Sequence, residues 1–275
     1  MVGSMRANIR SPFGLLIACS LLALFPVFAA AQTTVTDSTF VDTDWTGTQF
    51  VAGGGGSSSG AQVASGGNPG SFRNVTDVLN AAAPGTSTVV LSTHIYNPFT
   101  YTPTVQGAIG LLNYAEDAAC TAGCFGSGQS TGPALLQGGN LYILNSTLIT
   151  GPGAAWAPHN LSGLTAASFG LVSVTSPGNG TIFDNTQHPN FSSAGAPIQV
   201  GFFRANGTSQ GGGGYTLAAG IDNWSVTLFA AAAPPSASAI PVPALSIGEL
   251  GALAGLVALF AMIGLRRVRG RANQE

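Results

Sequence analysis

Between Gln32 and Phe229 no segment sustains an apolar helical repeat over the roughly 12 positions a packed helix needs. Apolar residues recur instead in short alternating or continuous runs, divided by Gly, Pro, Asn and Ser. Side chains alternate across a strand, so each run offers one face for burial and needs a sheet to bury it. The clearest run is Asn223–Leu228, where Trp224, Val226 and Leu228 share one face and Asn223, Ser225 and Thr227 the other. Ile198–Ala205 alternates in the same way, with Ile198, Val200 and Phe202 together. Val75–Leu79, Ser87–Thr93, Gln106–Tyr114 and Asn140–Leu148 are further strand candidates. Gly53–Gly56 and Gly211–Gly214 are expected in exposed loops, since runs of Gly weaken a strand interior. Strands at this spacing without intervening helices predict an all-β antiparallel sandwich rather than a parallel α/β sheet.

Charge narrows the function. The 275 residues are only 7% charged, against about 25% in an average soluble domain. Lys is absent, and six of the eight Arg lie near the ends, at Arg6, Arg10, Arg266, Arg267, Arg269 and Arg271. Arg73 and Arg204 alone face eight acids between Gln32 and Ala239. Nucleic-acid binding is excluded as a class, because it needs Lys and Arg to displace counterions from phosphate. With 45% hydrophobic residues and a net charge of −2, disorder driven by charge is excluded as well.

The two ends read as addresses. Residues 1–31 form a secretory signal: Arg6 and Arg10, an apolar stretch from Phe13 to Phe28, then Ala29-Ala30-Ala31 with cleavage expected between Ala31 and Gln32. Residues 32–229 are the ectodomain, and 230–239 form an Ala/Pro/Ser linker. In 240–275 the motif Val242-Pro243-Ala244-Leu245-Ser246 precedes an apolar segment, Leu250 to Leu265, which Arg266, Arg267 and Arg269 close. Its length suits one transmembrane helix, and the arginines put its far end in the cytoplasm. In the order motif, helix, arginines, this tail resembles the exosortase-type sorting signals of Gram-negative bacteria, the PEP-CTERM group, in its IPTL-CTERM-like variant. The resemblance implies recognition by an exosortase-like membrane transpeptidase. It also implies export across the inner membrane and residence at the cell envelope or surface of a biofilm-forming host.

A second resemblance concerns the ectodomain. Phe40 to Trp45, Gly66-Gly67-Asn68-Pro69-Gly70 with Arg73, and Gly220-Ile221-Asp222-Asn223-Trp224-Ser225-Val226 resemble the jelly-roll ectodomains related to carbohydrate-binding and concanavalin-like modules. That resemblance implies a jelly-roll-type β-sandwich.

The chemical candidates are few. Once Cys19 leaves with the signal, Cys120 and Cys124 are the only thiols, and export to an oxidising compartment predicts a local disulfide. His94, His159 and His188 stand in no metal-binding or catalytic spacing. Asp42 and Asp44 share a face if Val41 to Trp45 is extended, and with Asp222 they are the candidate oxygen ligands for Ca²⁺. No other cofactor is expected. Arg73 and Arg204 either pair with acids or hold a polar ligand in a guanidinium fork. Trp156, in the Pro/Gly-rich stretch Gly151 to Pro158, is the candidate platform for stacking a sugar, whereas Trp224 belongs to a core face. The reading is a non-enzymatic surface or matrix protein that binds extracellular polysaccharide. Its rivals are a structural coat or adhesion protein without glycan affinity, and a polysaccharide-processing enzyme built on Glu116, the sole Glu of the ectodomain.

Overall fold

The computed structural model describes residues 31–232 apart from 127, 147, 152, 154 and 175–181, together with 252, 255 and 256. Two antiparallel sheets face each other, their strands numbered here along the chain. Sheet A runs β10 (Ala157–Leu164), β6 (Ile109–Ala122), β14 (Tyr215–Ala230), β4 (Gly70–Leu79) and β3 (Gly56–Gly67), with β1 (Gln32–Asp37) paired to the second half of β14. Sheet B runs β12 (Phe183–Asp184), β11 (Phe169–Val172), β8 (Asn140–Leu144), β7 (Ser130–Gln137), β13 (Ile198–Gly207), β5 (Val89–Tyr96) and β2 (Trp45–Ala52), and β9 (Leu148–Ile149) adds to β7. The first and last strands therefore pair, Gln32 opposite Phe229 and Val35 opposite Val226. The all-β antiparallel sandwich expected from the sequence is the architecture observed.

The inner faces meet in an aromatic core. Trp224, Val226 and Leu228 of β14 are buried together, as their alternation requires. Trp45 packs edge-on against Trp224 and Phe202, with ring centroids 4.9 and 5.3 Å away. Its indole N–H donates to Asp37 Oδ2 at 2.8 Å. The other Asp37 oxygen accepts from the Thr39 and Phe40 N–H groups, which pins Phe40 in a left-handed conformation with φ 53°. Burial pushes the Asp37 carboxyl up, but these donors outweigh it and hold the group below its ordinary value.

Three elements depart from expectation for physical reasons. The β13 strand is buried on both faces, because Phe203 and Ala205 join Leu91, Ala134, Ile143 and Ile182 in a second apolar cluster. Val41 to Trp45 is not extended. Asp42–Asp44 forms a 3₁₀ turn closed by the Asp44 N–H on the Val41 carbonyl, so the two carboxylates do not share a strand face. Gly56, expected in a loop, opens the 12-residue strand β3. Pro133 sits inside β7 without breaking the sheet: β9 pairs with residues 130–131 and β8 with 134–137, so Pro133 has no strand partner on that side.

The sandwich lies in the first of two compact units, Met1–Ala232 and Ala233–Glu275. Among the described residues no helix is long and apolar enough to cross a membrane. The expected signal, linker and sorting segment lie outside the described residues except at 31, 230–232, 252, 255 and 256.

Candidate functional site

Both ectodomain arginines point inward. Arg204 of β13 is fully buried and meets Glu116 of β6 at 3.2 Å, which ties sheet B to sheet A through the core. Glu116 also accepts from the Tyr114 hydroxyl at 2.5 Å and the Thr131 hydroxyl at 2.9 Å, and its Oε1 lies 3.3 Å from His159 Nδ1. Burial pushes this carboxyl up, yet the Arg204 charge and these bonds bring it below its usual value. Neither expectation for chemistry at these residues survives such enclosure. Arg204 cannot present a fork to a ligand, and Glu116 has no open side for a substrate.

Arg73 of β4 is buried to 4% and bonds outward to Asp42 at 2.8 Å and to the Gly60 carbonyl at 2.9 Å. Its Nε lies 3.4 Å from His94 Nδ1. A guanidinium can only donate, so Nδ1 is the acceptor and the His94 proton sits on Nε2, 3.2 Å from the Ser92 hydroxyl. That tautomer gives Nε2 no lone pair with which to activate Ser92. Burial and then the charges of Arg73 and Arg204 keep His94 neutral by driving its pKa well below the ordinary value. The Ser92–His94 pair is thus a structural bond of the core, not a nucleophile and its base.

The proposed calcium ligands are not gathered. Asp42 serves Arg73 and the Gln62 N–H. Asp222, fully buried, accepts from the Asn68 and Asn223 N–H groups. Among the described residues no three of His, Cys, Asp and Glu are grouped so as to hold a metal ion. Cys120 and Cys124 do form the expected disulfide.

The outer face of sheet A is different in kind. Because Leu112 and Tyr114 point into the core, Asn113 and Ala115 point out. Register then sets Asn113 beside Thr227 and Ala115 beside Ser225 on β14, with Asn160 of β10 and Thr34 and Thr36 of β1 completing the rows. The Thr34 and Thr227 hydroxyls are 3.0 Å apart. Asn113, Asn160, Ser162, Ser225 and Thr227 line a shallow groove of about 250 Å³ on this face.

At one end of the groove β14 carries a bulge at Asn223, with φ 48°, which reverses the alternation. Upstream of it Gly220 and Asp222 face outward. Asp117, opposite Asp222, accepts from the side-chain amides of Asn68 at 3.0 Å and Asn223 at 2.6 Å. Trp156 lies over Gly220, where a Cβ would come within 2.6 Å of the indole ring. It packs edge-on to Phe72 at 5.3 Å and donates its N–H to the Gly66 carbonyl at 3.0 Å. Partly buried and fixed, it is the sequence candidate that the structure sets on the outer face of sheet A. From Gly220 to Phe229, which is half-buried on the same face, β14 spans roughly 30 Å at about 3.3 Å per residue.

Sequence reasoning missed most of this face. Asn113, Asp117 and Asn160 stand out in no motif, Asn68 and Asn223 belong to stretches that pointed only to the fold, and strand register with the β3–β4 turn brings them together. The alternation of Ser225 and Thr227 against the apolar Trp224 and Val226 was the only local signal available.

No family model matches the chain, and no curated protein does. Among solved structures it is similar to a family 11 carbohydrate-binding module of a cellulosomal cellulase of Clostridium thermocellum, at 12% identity and a TM-score of 0.39, covering 74% of this chain and 96% of that one. It is also similar to a xylan-binding domain from Paenibacillus barcinonensis, at 11% identity and a TM-score of 0.37, over 74% of this chain and 98% of that one. A Shewanella oneidensis protein of unknown function is similar at 12% identity and a TM-score of 0.35, over 84% of this chain and 99% of that one. Likeness at this level says nothing about ligand, and the sheet A face is read on its own chemistry.

Proposed function

We propose that the chain is a secreted, envelope-anchored and non-enzymatic surface or matrix protein whose jelly-roll-type ectodomain binds a neutral extracellular polysaccharide along the outer face of sheet A. Its export and anchoring rest on the residue 1–31 signal and on a residue 240–275 tail sorted by an exosortase-like transpeptidase. One observation carries the binding proposal: a row of hydroxyl and amide side chains, in register across β10, β6, β14 and β1, leads past Asp117, whose carboxylate is tied to the Asn68 and Asn223 amides, to the partly exposed Trp156. Such a row exchanges hydrogen bonds with sugar hydroxyls, and an aromatic ring packs against the apolar face of a pyranose. No cation is needed: Arg204 is committed to Glu116 in the core, and Arg73 to Asp42 and the Gly60 carbonyl.

The test is affinity electrophoresis of the full chain through gels containing soluble neutral glucans, xylans and the host's own exopolysaccharide. Retardation by at least one polymer is expected, with loss of most of it in Trp156→Ala and in Asn113→Ala/Thr227→Val. Mobility unchanged by every polymer would favour the structural coat reading.

A further inference from the structure

The inner row of β13 continues past Arg204 to Asn206, where the two sheets begin to part. There a cleft of about 430 Å³ opens between the β6–β7 connection and the start of β14, walled by Phe125, Gly128, Ser130, Asn206, Thr208 and Tyr215. A second cleft of about 320 Å³ adjoins it and shares Ser130, Asn206 and Thr208. Among the described residues no charged side chain lines either one.

Two features make this a built site and not only a gap. The first is Asn206, which is buried to 7% exposure. Its amide nitrogen donates to the Gly128 carbonyl at 3.2 Å, while its Oδ1 is enclosed and has no hydrogen-bond partner among the described residues. That bond fixes the Asn206 side chain against the β6–β7 connection, at the wall of the cleft. The second is Phe125, a large apolar side chain left 48% exposed. It directly follows Cys124, which the disulfide ties to Cys120 of β6, and it meets Tyr215 edge-on at 4.9 Å. The Tyr215 hydroxyl is in turn held by the Gly207 carbonyl at 2.9 Å. Gly126, Gly128, Gly207 and Gly212 leave the backbone around these side chains bare.

We propose that this cleft is a second binding site, separate from the sheet A face, for the terminal residue of a neutral glycan. The apolar side of the sugar lies against Phe125, and its hydroxyls meet the Ser130 and Thr208 side chains that share the wall with Asn206. Absence of charge in the walls selects against uronic acids and amino sugars. Buried Ala205 and Leu217 close the inner end, so a chain enters end-on and a short glycoside is sufficient ligand. The disulfide holds the aromatic wall in place.

The experiment is a heteronuclear NMR titration of the full chain with the methyl glycosides of glucose, galactose, mannose and xylose. At least one should shift the Asn206 side-chain amide and the Gly126, Gly128 and Gly207 amides, while the Asn113 and Thr227 amides stay in place. Phe125→Ala should weaken that glycoside about fivefold or more, Phe125→Tyr should retain it, and Trp156→Ala should leave it unchanged. If none of the four shifts the Asn206 amide, or if Phe125→Ala binds as tightly as the parent, the site is not a sugar site. Polymer retention in the gel assay is read through Trp156 and glycoside binding through Phe125, so either site can fail without the other.

Discussion

Asp77 and Glu116 share one interior, yet their carboxyls move in opposite directions. Glu116 has Arg204, Tyr114 and Thr131 as partners, and the sum holds it below its ordinary value. Asp77 is fully buried with Gln129 donating to one oxygen at 2.9 Å, while its other oxygen meets no hydrogen-bond donor at full strength among the described residues. Burial therefore dominates and raises it from 3.8 to about 6, with Ser58, Gln129 and Arg204 compensating only in part. A raised carboxyl contributes stability that is complete below its unfolded pKa and is lost as pH rises through the folded one. The displacement corresponds to about 3 kcal/mol, withdrawn between about pH 4 and pH 7. Glu116 and Asp37, both lowered, contribute stability at neutral pH that is lost as pH falls through their folded values. Urea midpoints of the parent should therefore be highest in mildly acid solution, whereas Asp77→Asn should lose the decline towards neutral pH. A parent and variant with parallel pH profiles would contradict this account. The calcium expectation ends at the same scale. Asp42 is engaged by Arg73 and Asp222 by two backbone N–H groups, so chelator or added Ca²⁺ should move the melting temperature by no more than about 1 °C.

At the scale of elements, β14 organises the domain, and a single residue decides how. Before Asn223 the inward residues are Leu217, Ala219 and Ile221; after it they are Trp224, Val226 and Leu228. The left-handed φ of 48° at Asn223 makes this reversal, and Asn tolerates that region better than a β-branched residue. Asn223→Gly should keep the bulge and stay within about 1 kcal/mol of the parent, losing the side-chain bonds to Asp117 and to the Asn68 carbonyl. Asn223→Val should cost roughly 2 kcal/mol or more, seen as a lower denaturant midpoint together with loss of the groove's binding. The sequence made the two halves of β14 unequal to read. The later half alternates cleanly, while in Leu217–Ile221 small residues on the outward side hide the period. The strands β3 and β10 were invisible for a related reason. Ser, Gly and Ala fill β3, and Pro158 and Gly163 interrupt β10, because these edge strands bury little. Alternation reports burial, so a strand exposed on both faces leaves no trace of itself.

At the scale of the whole sandwich, cations and anions are placed differently. Arg73 and Arg204 are buried, whereas the acids lie at every depth, from enclosed Glu116 and Asp77 to Asp117 on the outer face of sheet A. Around Asp117 that face presents amides, hydroxyls and an aromatic ring, and the end cleft is uncharged among its described residues. Composition revealed the scarcity of charge but not its placement, because an arginine's partner comes from another sheet, as Glu116 does for Arg204, 88 residues away. The site was correspondingly hard to read. Trp156 was visible as an aromatic in a Pro/Gly-rich stretch, whereas its neighbours on the face are supplied by register between distant strands. The Arg204–Glu116 pair, as the charged bridge across the core, sets a whole-molecule prediction. Desolvating two charges offsets much of their attraction, so the pair adds little net stability over an uncharged pair that fits. Removing one partner is another matter: Arg204→Met leaves Glu116 buried beside Tyr114, Thr131 and His159 without its guanidinium, at a cost of about 3–5 kcal/mol. For a domain of this size that lowers the melting temperature by roughly 10 °C. Glu116→Gln added to Arg204→Met keeps an acceptor for Tyr114 and Thr131 and removes the orphaned charge, so the double variant should recover more than half of the loss. If the two losses simply add, the bridge is not a coupled pair, and the sandwich owes its cohesion to the aromatic core around Trp45 and Trp224 alone.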